Sequence, residues 1–174
     1  MLKRILTLTI LILLNSCAAF ASCATKSVAP LEKIETNLKQ QTKTINIPIY
    51  YTKTLTGLAI SIKNEYLFDE HNCLKPNGKI FLDIMAITMK TSGRKWMILT
   101  HTLNGNTQID KIANTSLKAN IITSYLTDKE GCLINQIFPI GFGSIIPPQT
   151  EKSKRHEMYE RTDFIIEDFK LNLQ

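Results

Sequence analysis

The segment that most restricts the fold is a nearly continuous apolar run, Trp96-Met97-Ile98-Leu99, followed by Thr100-His101-Thr102-Leu103. Runs of this length and composition are typical of a strand that is buried on both faces of a sheet. Helical patterns flank it on both sides, at 78–90 and 107–126, and further strands are predicted at 58–68, 133–140 and 163–169. This alternation predicts a sandwich in which helices pack against one sheet.

The first residues predict an export signal. Met1–Arg4 is basic, and Ile5–Leu14 is an apolar run broken only by threonines. That run is too short to span a bilayer, which takes roughly 20 apolar residues. A short basic start, a short apolar core and small residues after it indicate a secretory signal peptide.

Two cleavage sites compete after this signal. Leu14-Asn15-Ser16-Cys17 has the form of a lipobox, which would make Cys17 the lipidated first residue of the mature chain. Ala19-Phe20-Ala21 has the form of an ordinary signal peptidase site, and Cys23 is a weaker third candidate. We favour Cys17 because it directly follows the apolar run. Several acyl chains on one cysteine would anchor the chain firmly in a membrane.

The rest of the chain divides by composition. Residues 1–16 are predicted to be the signal peptide, and residues 17–44 a lipidated N-terminus and polar tether containing a short helix near Leu31–Leu38. Residues 45–57 are predicted to be an extra strand-like segment, which Pro48 either confines to the edge of a sheet or breaks, because proline lacks the backbone donor. Residues 58–174 form the folded domain.

Four ordered stretches of this domain resemble the OmpA-like family of peptidoglycan-associated lipoproteins. They are Leu67-Phe68-Asp69 with Leu74-Lys75-Pro76, His101-Thr102 with the helix that follows, Ile137 to Gly143, and Arg161-Thr162-Asp163-Phe164. The resemblance implies an α+β fold, a βαβαββ sandwich with its helices packed on one mixed sheet. It also implies a periplasmic domain that binds the diaminopimelate of the cell wall.

The ligand site implied by the resemblance is degenerate. It comprises His101, Thr102, Leu103, Lys118 and Arg161. The family has a carboxylate at the position of Leu103 and a guanidinium at that of Lys118, and lysine lacks the two-pronged geometry of arginine. Each lost ionic hydrogen bond is worth about 1.5–3 kcal/mol, so wall binding should be weakened.

Two other features depart from the family pattern. Glu160 reverses a positive charge, and Asn106 stands where glycine is common. Compensation by Asp110, Lys118 and Arg161 remains open.

The first long helix carries a second apolar stripe. Leu82, Met85, Ala86 and Met89 mark its buried face, and Ile80, Ile84 and Ile87 lie nearly opposite. This second stripe is covered either by the chain's own segment Ile45–Tyr51 or by another protein, and it is our candidate partner face.

The cysteines and histidines give weaker indications. Cys73 and Cys132 are a possible disulfide pair in an oxidising compartment. No metal site and no cofactor are expected, because there is no Cys-x-x-Cys and the three histidines are isolated. Catalysis is not expected either, since no nucleophile elbow or converging carboxylate pair is present. The export signal argues against nucleic acid as a partner.

Together these features predict an outer-membrane lipoprotein whose domain faces the periplasm. By resemblance, it would be a structural component of an envelope-spanning assembly such as the core of a type IVB (Dot/Icm) secretion system. Its partners would be other envelope proteins, with weakened binding to peptidoglycan. The alternative is a lipoprotein that tethers the outer membrane to the wall.

Overall fold

The computed structural model describes residues 28–54, 57–145 and 159–167. The signal peptide and Cys17 lie outside these residues. The helices are α1 (Leu31–Thr42), α2 (Asn64–Leu67), α3 (Pro76–Ser92) and α4 (Gln108–Ser124). The strands are β1 (Ile49–Lys53), β2 (Gly57–Lys63), β3 (Trp96–His101), β4 (Ile137–Gly143) and β5 (Arg161–Glu167). None of the helices in these ranges is long and apolar enough to cross a membrane.

The five strands form one mixed sheet in the order β1-β2-β5-β3-β4. β3 and β4 are parallel, and the β1–β2, β2–β5 and β5–β3 pairs are antiparallel. From β2 onward the elements follow the predicted βαβαββ order. The predicted α+β fold, with helices packed on one mixed sheet, is confirmed.

Strand β3 is an interior strand that lies between β5 and β4, but it is fully buried on one face only. Trp96, Ile98 and Thr100 are inaccessible to solvent, whereas Met97 and Leu99 on the other face are partly exposed. The prediction of a strand buried on both faces was therefore wrong for the second face. A continuous apolar run does not distinguish a covered face from an apolar face that is still open.

Helix α3 is fixed by its ends and by one close approach. It begins with Pro76 in its first turn, and Gly93 ends it in the left-handed conformation with φ 66°. A Cβ on Gly78 would lie 2.9 Å from the Leu67 backbone, so only glycine allows α2 and α3 to pack this closely. Phe81 of α3 meets Phe164 of β5 edge-on, with ring centroids 5.5 Å apart.

The segment before the sheet belongs partly to the core. Helix α1 packs against α3, and its Ile34 and Leu38 are buried. The polar stretch predicted as a tether with a short helix thus contains a helix that packs on the core through Leu31, Ile34 and Leu38. β1 is an edge strand, as Pro48 predicted.

Candidate ligand site at the end of strand β3

His101 ends β3 and is held from three sides. The Asn64 side chain donates a 2.8 Å hydrogen bond to the His101 carbonyl and accepts one of 2.8 Å from the Thr162 hydroxyl. The His101 Nε2 atom lies 3.2 Å from Asp163 Oδ2, without the alignment of a good hydrogen bond. Phe142 of β4 lies beside the imidazole, with ring centroids 5.5 Å apart. His101 is buried and therefore positions the strand end rather than facing solvent.

Arg161 is already engaged by a buried carboxylate. Its Nε donates to both oxygens of Asp163, at 2.9 and 3.0 Å. Burial alone would raise the pKa of Asp163, but the His101 and Arg161 side chains outweigh it and lower that pKa below its ordinary value. The predicted site residue Arg161 thus neutralises Asp163 inside the protein, which reduces its capacity to hold an external anion.

The loop after β3 is closed by Glu160, the residue that precedes β5. Glu160 Oε1 accepts a 2.6 Å hydrogen bond from the Thr102 hydroxyl and one of 2.7 Å from the Leu103 backbone N–H. The Thr102 hydroxyl oxygen in turn accepts from Asn104 N at 3.1 Å. A carboxylate therefore lies at the backbone of Leu103, although residue 103 carries none.

Sequence reasoning registered Glu160 only as a reversed charge. Its role was missed because the contact joins residues 57 and 58 positions apart. Two departures from the family pattern could have indicated this contact, because a carboxylate is lost at Leu103 and one is gained at Glu160.

Lys118 points from α4 into the same region. The residue is 6% exposed, and its Nζ lies 5.7 Å from the centroid of the Phe68 ring. Desolvation lowers the pKa of Lys118, and the negative charge of Glu160 partly opposes this effect. Among the described residues, no carboxylate lies within 4.0 Å of the ammonium. The site thus contains a buried cation with a π contact and no salt-bridge partner in the described ranges.

The position of Lys118 is set by close packing of α4 on β4. A Cβ on Gly141 would collide with Ser116, so glycine is required where the helix crosses the strand. At the start of α4, Thr107 and Asp110 form a reciprocal capping box, with bonds of 3.1 and 2.9 Å. Asp110 therefore caps the helix instead of joining the ligand site.

The side chains of the candidate partner face on α3 are partly exposed to solvent. Ile80 is 50% exposed and Ile87 49%, whereas Ile84 is partly buried against the core. α1 packs beside this stripe, and Ile87 lines the gap between α1 and α3. The segment Ile45–Tyr51 packs against the hydrophobic core, and its last three residues form the start of the edge strand β1.

The possible disulfide is not formed. Cys73 is exposed and free, and Cys132 is buried and free. Cys73 precedes the N-terminus of α3, whereas the Cys132 thiol faces the Ala86 carbonyl, ten residues beyond Pro76. At about 1.5 Å per residue this is about 15 Å of helix, far beyond the roughly 7 Å that a disulfide can span. In the described residues, no group of three or more potential ligands forms a metal site.

Comparison with known proteins shows similarity at the level of structure. No protein-family model matches the sequence, and no curated protein is significantly similar to it. A MotB-like protein from Desulfovibrio vulgaris superposes with a TM-score of 0.62 at 13% identity, covering 79% of this chain and 94% of that chain. The cell wall anchor of the T6SS from Pseudomonas aeruginosa has a TM-score of 0.59 at 11% identity, covering 82% and 99%.

A third similar structure is described as an OmpA-like domain. The OmpA-like domain of FopA1 from Francisella tularensis has a TM-score of 0.50 at 17% identity, covering 71% of this chain and 82% of that chain. At these identities the similarity shows that this chain has the OmpA-like fold.

Proposed function

We propose that this protein is an outer-membrane lipoprotein whose OmpA-like domain faces the periplasm and serves as a structural component of an envelope-spanning assembly. The core of a type IVB (Dot/Icm) secretion system is such an assembly, and the chain resembles its IcmN/DotK component. Lipidation at Cys17 supplies the anchor. The proposed role rests on binding other envelope proteins, with weakened binding to peptidoglycan and without catalysis.

The observation that carries the proposal is the state of the ligand site. Leu103 offers no carboxylate for a ligand ammonium, and Arg161 is neutralised by Asp163. Glu160 Oε1 already accepts two hydrogen bonds from the protein, so a ligand must compete with these contacts. Lys118 is a buried cation that has no carboxylate within 4.0 Å among the described residues. Lysine holds a carboxylate as a point charge, without the fork of arginine.

The exposed isoleucines support a role in protein binding. Ile80 and Ile87 leave half of their surface to solvent on a helix whose opposite face is buried. Adjacent apolar side chains on one helix face are typical of interaction sites. The T6SS neighbour is described as a cell wall anchor, which makes a place for this fold in a secretion assembly reasonable.

Co-purification tests this role directly. Ile80→Glu with Ile87→Glu should release envelope partners from the affinity-tagged chain without unfolding it. Leu117→Glu on α4 is the matched control, because Leu117 is also 50% exposed. Equal loss of partners in both variants would contradict a specific partner face. An unchanged partner set in the double variant would contradict this face as the docking site.

Metabolic palmitate labelling tests the anchor. Label should be lost in Cys17→Ser and kept in Cys23→Ser. Label that persists in Cys17→Ser would contradict the proposed lipidation site.

A second candidate is a wall tether, and one arrangement favours it. The Glu160 carboxylate and the buried Lys118 ammonium place opposite charges in one site, as a zwitterionic ligand requires. If this function holds, Glu160→Gln and Lys118→Met should each weaken binding to isolated sacculi by at least tenfold. If neither variant changes the binding, the site plays no part in holding the wall.

A further inference from the structure

The face of the sheet opposite the helices carries an apolar groove. Ile165, Met97 and Phe138 are neighbours across β5, β3 and β4, and Leu99 and Ile140 form the next pair along β3 and β4. Phe138 is 42% exposed and Ile140 38%. The groove has a volume of about 470 Å³. Contiguous apolar side chains that line an open groove are typical of a site that binds another segment or molecule.

The start of the described chain leads into this groove. Val28 lines it together with Gly93, Arg94 and Lys95. The next residue is fixed at the end of the sheet, because Ala29 N donates to the Ser92 carbonyl and Arg94 Nε donates to the Ala29 carbonyl. From there the chain enters α1, which packs on the helical side through α3. The backbone therefore passes from the open face to the covered face at residues 28–30.

We propose that the segment 18–27 folds back into this groove, with Phe20 packed against Met97 and Phe138. Phe20 is the large apolar residue of that segment, and its neighbours Ala18, Ala19 and Ala21 are small. The eight residues from Phe20 to Val28 span up to about 28 Å when extended, at about 3.5 Å per residue. Adjacent strands are about 4.8 Å apart, so the segment is long enough to turn back over β3 and β4.

This docking, which rests on the proposed cleavage at Cys17, would set the distance of the domain from the membrane. Eleven residues separate Cys17 from Val28, which allows a reach of about 36–40 Å at full extension. With Phe20 docked, only three residues separate the anchor from the sheet, or about 10–11 Å. The open face would then lie towards the outer membrane, and the helices and the ligand site would face the periplasm or the partner.

Disulfide trapping in the processed, membrane-attached chain tests the proposal. The background carries Cys23→Ser and Cys73→Ser. The test pair is Ala21→Cys with Ile140→Cys in the groove. The control pair is Ala21→Cys with Thr52→Cys on the edge strand β1. Ala21 is seven residues from Val28, so a free segment reaches both positions, which lie about 19 Å apart across four strand spacings. We expect crosslinking to Ile140→Cys to be at least tenfold faster than to Thr52→Cys, and Phe20→Ser to abolish the difference.

Several outcomes overturn the proposal. Equal rates at the two positions would mean that the segment is not docked. Crosslinks between chains would assign the groove to a second copy. If crosslinking to Ile140→Cys becomes fast only after residues 168–174 are removed, the groove is assigned to the C-terminal segment as its occupant. Mass spectrometry of the mature chain shows whether the proposed cleavage before Cys17 occurs, independently of docking. Cleavage after Ala21 would remove Phe20 and would show that Cys17 is not the first residue.

Discussion

Leu103→Asp should destabilise the protein, although it restores the residue type that the family resemblance implies at this position. The Leu103 N–H donates a 2.7 Å hydrogen bond to Glu160 Oε1, so the introduced carboxylate would lie about 5 Å from the Glu160 carboxylate. At that distance two unit charges repel by about 3 kcal/mol at an effective dielectric constant of 20 and by less than 1 kcal/mol in water. Both residues are partly buried, and we expect a loss of about 1–3 kcal/mol in the free energy of unfolding.

Urea denaturation at pH 7 measures this loss, with Leu103→Asn as the uncharged control of similar shape. The double variant Leu103→Asp/Glu160→Gln should recover most of the stability, because the repulsion needs both charges. Lowering the pH towards 4 should also reduce the loss, since protonation of either carboxyl removes the repulsion.

Equal stability of Leu103→Asp and Leu103→Asn at pH 7 would rule out a repulsion between residue 103 and Glu160. So would effects of Leu103→Asp and Glu160→Gln that add to within about 0.3–0.5 kcal/mol, as they do for independent sites.

Three further predictions concern the same region. Desolvation lowers the pKa of Lys118 below its value in the unfolded chain, so the wild type gains stability as the pH rises through the lowered pKa. Lys118→Met should therefore flatten the rise in the free energy of unfolding towards pH 10, measured by urea denaturation. An unchanged pH profile would contradict this prediction. Asp163→Asn should cost about 3–5 kcal/mol at pH 7 by leaving Arg161 buried without its carboxylate. Because the pKa of Asp163 is lowered, its contribution is present at neutral pH and is lost only as the pH falls through that value, so the variant should also lose part of the acid dependence. Gly141→Ala should lower the melting temperature through its collision with Ser116, whereas Gly131→Ala, with no neighbour within 4 Å, should cost only backbone strain.

The elements of the fold could be predicted because their signals are local. The apolar run of β3 and the periodic apolar residues of α3 each act within a few residues of the chain. Boundaries shifted where a neighbour decides them: β4 begins at Ile137 rather than at Leu133, because Ile137 pairs with Trp96 in the parallel ladder.

The site was predicted less well because its contacts are distant in sequence. The resemblance placed His101, Thr102 and Arg161 near one another, but it gave no means of seeing that Asp163 holds Arg161 or that Glu160 holds the loop. Helix α1 was missed as part of the core for a related reason. Its packing depends on three apolar residues, Leu31, Ile34 and Leu38, in an otherwise polar segment.

An OmpA-like domain with a weakened ligand site should bind isolated sacculi poorly, and its affinity for them is the decisive measurement. The comparison is with the rebuilt variant Leu103→Asp/Glu160→Gln/Lys118→Arg, whose fold is first checked by its denaturation profile. Two missing ionic hydrogen bonds predict that the wild type binds roughly 100- to 10,000-fold more weakly than the rebuilt variant. Tight binding by the wild type that free diaminopimelate competes away, and that Glu160→Gln abolishes, would contradict the account.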